Sequence, residues 1–263
     1  DEHPNDKILI ILDAGKNTFR NTLYPEYKAN RSEAPEDLIP QFGIIREAID
    51  AFGLDVIEKK DFEADDIIAS YVRYGEENQI PTTVFSSDKD LFQLLSANTR
   101  IMDPMKNVEI DEAKVMDKFG VGPDKITDVQ ALIGDSVDNI PGVPGIGPKT
   151  AAKLINEFGN FEKLLANKDQ IANVRIKNLI HDHEESAKIS HQLVILKNDL
   201  DLPIQIEELK AFDDSPKLND FFKKYEFKSL IRTSAHETKP HAAKKNIEFK
   251  SLINTPEIIT YLQ

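Results

Sequence analysis

The chain has 263 residues, with 46 aspartates and glutamates against 33 lysines and arginines, a formal net charge of −13, and no cysteine. That length can bury a sizeable core in one large domain or two small ones, while the missing cysteines exclude disulfides, zinc–thiolate sites and cysteine nucleophiles. No apolar run reaches the length of a membrane span and no signal-peptide pattern is present, so a cytoplasmic enzyme is expected. The acidic excess counts mildly against nucleic-acid binding. Lys16, Arg20, Lys28 and Arg31 nevertheless gather locally, and a local field steers a ligand more than total charge does.

In chain order, strands and helices first alternate, as in an α/β sheet. Lys7-Ile-Leu-Ile-Ile-Leu-Asp13 is a short apolar run ending in an acid, expected as a buried strand with Asp13 at its C-terminal tip. Leu38, Phe42, Ile45, Ile49 and Phe52 recur at helical spacing and predict a helix over 36–52, stopped by Gly53. Residues 54–57 are expected as a strand and 64–78 as a helix. Residues 82–86 form a further expected strand, running into Asp88-Lys-Asp90 and a helix over 91–96. From about residue 111 the strands cease, and helices are predicted near 111–119, 124–133, 149–158, 160–166, 184–197 and 215–225. Residues 233–246 lack periodic apolar residues and read as a linker. The expected organisation is a sheet domain over 1–110, a helical subdomain over 111–232, the linker, and the start of another domain over 247–263. The six histidines have no zinc-like spacing and are expected at the surface.

The acids then fall into a pattern. Open parallel sheets bind ligands beyond the carboxyl ends of their strands. Asp13 and Asp88/Asp90 stand at such ends, Glu63-Ala-Asp65-Asp66 stands where a loop gives way to a helix, and Asp135 and Asp138 follow the helix of 124–133. Acids so clustered repel unless cations sit among them, and paired divalent ions are the usual device for in-line attack on a phosphodiester. Directly after Asp138 comes Asn-Ile-Pro-Gly-Val-Pro-Gly-Ile-Gly-Pro-Lys-Thr150. Gly142, Gly145 and Gly147 let backbone approach a phosphate, and a helix starting near Pro148 offers free N–H groups at its positive end. Metal and phosphate grips side by side point to an enzyme that cuts or transfers phosphodiesters. Taken singly, each feature has a plainer reading. Glu63 or Asp65 could cap a helix, as could Asp88 and Asp90, Asp13 could end a strand, and the Gly-Pro hairpin could be a turn. Their shared placement on one expected face favours the functional reading.

The segments Phe19-Arg20…Leu23-Tyr24-Pro-Glu-Tyr27-Lys28-Ala-Asn-Arg31, Phe62–Ala69, Ser87–Leu91, Ala131–Ala151 and Lys223–Lys228 resemble, in order, the 5′-nuclease domain of bacterial DNA polymerase I, within the flap-endonuclease family. The resemblance covers roughly residues 5–232. It implies a central parallel sheet of the PIN/resolvase-like kind, a helical arch entered by single-stranded 5′ ends, and a helix-three-turn-helix module on duplex DNA. It further implies two Mg²⁺ or Mn²⁺ ions, 5′→3′ exonuclease and flap endonuclease activity in replication and repair, and a bacterial cytoplasmic setting beside a polymerase domain. The implied substrates are DNA with 5′ flaps, nicks or 5′ ends, with RNA primers as a further candidate. By the same resemblance Glu63, Asp65 and Asp88 belong with one metal and Asp90, Asp135 and Asp138 with the other, with Asp66 and Asp13 as neighbours. Arg20, Lys28 and Arg31 would hold phosphates near the scissile bond. Gly142, Val143, Gly145, Ile146, Gly147, Lys149 and Thr150 would contact duplex. The family also opens with an earlier strand ending in a metal-binding aspartate, which this sequence does not contain. The given chain is therefore expected to be weakly active or inactive. Two alternatives stay open: a DNA-binding fragment impaired in catalysis, and a related ribonuclease.

Overall fold

A computed structural model describes residues 6–210 and 216–231; the expected linker and the segment after it lie outside the described residues. Two compact units divide between Phe221 and Phe222. Of the second, residues 222–231 are described, and there the Phe222 and Phe227 rings meet edge-on, 6.2 Å apart.

The first unit is α/β with a long helical continuation, as expected. Its strands are short: β1 (Leu9–Ile11), β2 (Asp55–Ile57), β3 (Thr82–Phe85), β4 (Thr99–Asp103) and β5 (Val108–Ile110). The parallel pairing expected of one central sheet is divided between two small ones. β1 pairs parallel with β2, and β3 pairs parallel with β4, which pairs antiparallel with β5. Sequence periodicity missed the β4–β5 hairpin. Its turn is made by Asp103, whose carboxylate accepts the Met105 and Lys106 amides, and by Asn107 in the left-handed region.

The helices are α1 (Phe19–Leu23), α2 (Ile39–Ala51), α3 (Ala64–Glu77), α4 (Glu112–Phe119), α5 (Ile126–Ile133), α6 (Pro148–Phe158), α7 (Phe161–Ala166), α8 (Val174–Asp182), α9 (Glu184–Val194) and α10 (Pro216–Lys224), the last crossing the division between units. None among the described residues is long and apolar enough to cross a membrane. Local chemistry sets most of their ends. Asp111, Asn160 and Asn173 cap α4, α7 and α8 with side-chain oxygens, and Pro148 opens α6 at a position where its missing N–H costs nothing. The expected helix over 91–96 is instead a 3₁₀ turn over Lys89–Leu94, capped by Asp88. α8 was not anticipated.

One core serves sheet and helices together. Ala69 and Val72 of α3, Val84 of β3 and Ile101 of β4 share a cluster with Val129 and Leu132 of α5, Ile155 of α6 and Ile180 of α8. A second tie is polar. The Arg20 guanidinium, 1% exposed, donates to both Asp66 carboxylate oxygens at 2.7 and 2.8 Å, and to the carbonyls of Leu193 and Ile195 at 2.8 and 3.1 Å. It thereby joins α1, the first turn of α3 and the end of α9. Removing one partner of a buried, fully bonded pair strands the other charge. Arg20→Ala should therefore cost about 3–5 kcal/mol in urea unfolding, with Asp66→Asn costing less because the amide keeps an acceptor; an R20A midpoint equal to wild type would show that the pair bears no such strain.

Candidate metal and phosphate site

The acids reach the site from three elements. Glu63 stands in extended backbone just ahead of α3, with Asp65 in its first turn. Asp88 and Asp90 flank the start of the 3₁₀ turn after β3. Asp135 and Asp138 sit on the loop between α5 and α6, which is pinched at its neck by two glycines. There a Cβ on Gly142, at φ +60°, would lie 2.5 Å from the Gly134 nitrogen, an approach open only to glycine. Asp135 accepts the Val137 amide at 2.7 Å, and the Asp135 and Ile140 backbones bond each other in both directions.

Two clefts hold these groups. Arg31, Asp88, Lys89, Asp90, Lys118, Asp135 and Asp138 line the larger, of about 500 Å³. Lys28, Glu63 and Asp65 line the smaller, together with Asp88, Asp90 and Asp138 again. Six of the acids expected to face metal thus share one continuous lining, and they divide by partner. Glu63 takes a 2.6 Å bond from the Lys28 ammonium and a 3.1 Å bond from the buried Tyr27 hydroxyl. Asp138 is bonded by Arg31 through its Nε at 3.1 Å, and Asp135 is paired with Lys89. Asp65, Asp88 and Asp90 form no ion pair among the described residues. Asp90 instead accepts the Gln130 side-chain amide at 2.5 Å, and Asp88 accepts the Asp90 backbone N–H at 2.9 Å.

The electrostatics follow this division. Burial, Asp88 and Glu63 together push the Asp65 carboxyl up to about 7. Burial and Asp88 also raise Asp90. At Asp135 burial works upward too, but the Lys89 ammonium and the Val137 and Asp138 amides outweigh it and hold the group below the usual carboxylate range. Among the described residues no group of three or more acids or histidines is already arranged to grip one metal ion. The donor set still suits a hard divalent cation, being all carboxylate and holding three acids that lack a counter-charge.

Several expectations need correction. Asp66 is fully buried, and its oxygens are taken by Arg20 and by the Lys197 and Glu63 amides, so it is a structural anchor without free oxygens for a metal. Arg20 borders the smaller cleft, but its donors are engaged by Asp66 and two carbonyls, with Nη1 also 3.4 Å from Glu63, and are not directed at a phosphate. Asp13 is a neighbour of the cluster, as expected: it accepts the Ala64 amide at 2.8 Å and acts on the Asp65 carboxyl. In the hairpin, Val143 and Ile146 are core side chains, and the Gly142 amide bonds the Ser190 hydroxyl at 2.8 Å. The Thr150 amide closes onto the Gly147 carbonyl. The amides of Gly145, Gly147 and Lys149 have no acceptor among the described residues, and these three positions are exposed. Sequence reasoning also missed Tyr27, Lys89, Lys118 and Gln130. Only Lys89 carried a local signal, its place between Asp88 and Asp90. His191 is half-buried, stacked on Phe161 at 4.3 Å and bonded to Asp128 at 3.1 Å, contrary to its expected surface position.

A family model described as 5′-3′ exonuclease, N-terminal resolvase-like domain matches residues 1–120, and one described as 5′-3′ exonuclease, C-terminal SAM fold matches residues 121–217. The DNA polymerase I of Rhizobium leguminosarum is 47% identical over 229 residues, covering 87% of this chain and 22% of that protein. The 5′-3′ exonuclease of Aquifex aeolicus is 35% identical over 226 residues, covering 86% of this chain and 77% of that protein. The chain thus spans about a quarter of the polymerase relatives it matches, 22% and 28% in two instances. Among solved structures, the T5 D15 protein co-crystallised with metal ions shares 25% identity at a TM-score of 0.64, covering 74% of this chain and 78% of that one. The catalytic core of Rad2 in complex with DNA substrate shares the fold at 18% identity and a TM-score of 0.53, covering 82% of this chain and 72% of that one.

The raised Asp65 carboxyl has a measurable consequence. Folded protein holds this proton more tightly than unfolded chain does, so stability falls as pH rises from the ordinary carboxylate range through about 7, and the loss is complete above that. In EDTA, Asp65→Asn should raise the urea midpoint at pH 8 and leave it nearly unchanged at pH 4; an equal gain at both would contradict the shift.

Proposed function

The chain belongs to the 5′-3′ exonuclease family, and from that premise we propose that it is a divalent-metal-dependent 5′→3′ exonuclease and flap endonuclease, the 5′-nuclease part of a DNA polymerase I. The observation that carries the proposal is the single acidic lining supplied by three separate elements, edged by lysine and arginine. In this reading Glu63, Asp65, Asp88, Asp90, Asp135 and Asp138 hold two Mg²⁺ or Mn²⁺ ions. Such ions, when bound, activate water and stabilise the attacking and leaving oxygens.

The chain's own groups supply binding and orientation. Lys28 and Arg31 now neutralise Glu63 and Asp138. They are long side chains at the rim of the cleft and can trade a carboxylate for a substrate phosphate, with Arg31 offering a planar fork for two of its oxygens. Gln130 fixes the orientation of Asp90 from behind. The free amides of Gly145, Gly147 and Lys149, at the start of α6, suit duplex phosphate and carry no base information. The sheet part to residue 110 then serves the chemistry together with Asp135 and Asp138, and the rest of the helical part serves the duplex grip. A reading in which the chain grips duplex without cutting is favoured by one observation, the present pairing of Glu63, Asp135 and Asp138 with cations.

Duplex DNA bearing a labelled 5′ flap, incubated with Mg²⁺ or Mn²⁺, separates these readings. Weak metal-dependent release of 5′ products is expected, lost by about 100-fold or more in Asp88→Asn with duplex affinity retained. Binding without cleavage would leave the non-cutting reading, and preference for an RNA 5′ end would indicate a ribonuclease.

The hairpin gives a separate test. Gly147 has φ −96°, and a Cβ there meets nothing within 4 Å, so Gly147→Val should fold normally. It should nonetheless weaken binding to duplexes of every sequence alike; a loss confined to one sequence would count against phosphate recognition.

A further inference from the structure

Lys118 stands apart from every other cation lining the larger cleft. Arg31 is paired with Asp138 and Lys89 with Asp135. Lys118, in the last turn of α4, makes no ion pair or hydrogen bond among the described residues, although acids line the same cleft. Its ammonium is nonetheless held in place, 5.0 Å from the centre of the Phe92 ring and 5.7 Å from that of Phe119. Both rings are buried in the core shared by sheet and helices, so they form a fixed platform.

A lysine in a last helical turn has two plain uses: it complements the helix dipole, and its stem covers apolar surface. Neither explains a head group turned into a charged cleft beside two further ammonium groups. Burial, Lys89 and Lys106 lower the Lys118 pKa, against a smaller opposing pull from Asp90 and Asp88. Lys106 has its own acid, Asp103, at 3.1 Å. No acid among the described residues pairs with the Lys118 ammonium, although acids line the cleft.

We propose that Lys118 binds a second phosphate of the DNA strand being cut, next to the scissile phosphate that Lys28 and Arg31 address. Three observations support this assignment. The cleft, at about 500 Å³, can admit more than one phosphate group. Lys118 lies on an element distinct from the segment that carries Lys28 and Arg31, so the two could hold successive phosphates of one strand. Its lack of an acid partner also means that no ion pair has to break before phosphate binds. A single cationic contact of this kind adds affinity and salt dependence without reading bases. The inference rests on the functional reading above, and its test keeps the two apart.

Fluorescence anisotropy of the full chain with 5′-flap DNA in Ca²⁺, which can occupy carboxylate sites without promoting cleavage, measures the contact. Lys118→Ala should weaken binding by about tenfold and reduce the salt slope by about 1, while Lys118→Arg stays close to wild type. Methylphosphonate, which removes one phosphate charge, should then be placed in turn at each position flanking the scissile bond. At one position it should weaken wild type about as much as Lys118→Ala does, and leave the Ala variant unaffected. Both variants should stay folded in thermal unfolding, since Lys118 is exposed and loses only its contacts with the Phe92 and Phe119 rings. Equal affinity and salt slope in Lys118→Ala, or equal methylphosphonate losses in wild type and Lys118→Ala at every position, would overturn the assignment while the nuclease reading stands. A wild-type chain that neither binds nor cuts flap DNA would overturn both.

Discussion

Arg20 has no solvent to turn to. Its five donors sit in the interior, and only a fixed set of acceptors makes that tolerable: both oxygens of Asp66 and the carbonyls that end α9. Asp66 in turn takes the Glu63 and Lys197 amides. This node sets where α3 begins, and therefore where Glu63 and Asp65 point. It also anchors α1, from which the chain runs on to Tyr27, Lys28 and Arg31. A buried ion pair is weak grounds for net stability, because desolvation consumes most of the attraction. Its value here is positional, since it fixes three elements against one another.

With Asp66 spent on structure, the remaining acids divide into those already neutralised and those that are not. Glu63, Asp135 and Asp138 each face a lysine or arginine, whereas Asp65, Asp88 and Asp90 have one another. The second set is where a cation gains most, because burial and then like-charge repulsion raise Asp65 and Asp90, and a bound cation offsets both. The first set keeps its cations close to where a phosphate would lie. An acidic chain can in this way present local positive charge to a polyanion, which is why the net charge of −13 is a poor guide to the partner.

Much of this was legible in sequence. Helix bounds over 64–78 and 111–119 came within one residue, because Asp111 at a cap and Gly120 at a stop are local signals. The acid motifs were legible for the same reason, each being a short run at the end of an element. What failed depends on distant partners. Nothing near Asp66 distinguishes it from Asp65; one residue of offset on α3 turns one inward to Arg20 and leaves the other on the cleft. Lys118 reaches the cleft, and Gln130 reaches Asp90, only through the packing of α4 and α5. Val143 and Ile146 sit among glycines that suggest an exposed loop, yet the hairpin folds their side chains into the core.

The shared core explains why the two halves cannot be treated as a nuclease sheet with a detachable grip. Asp88 and Asp90 hang from β3, and Asp135 and Asp138 from the end of α5, yet Val84 of β3 and Val129 and Leu132 of α5 belong to one continuous cluster. Close-packed interiors transmit small displacements instead of absorbing them. A change of volume at the fully buried Leu132 would therefore move Asp135 relative to Asp88. A site assembled from three elements needs its carboxylates placed to within about 0.5 Å. Packing each half separately could not set that distance, and one core running through both can.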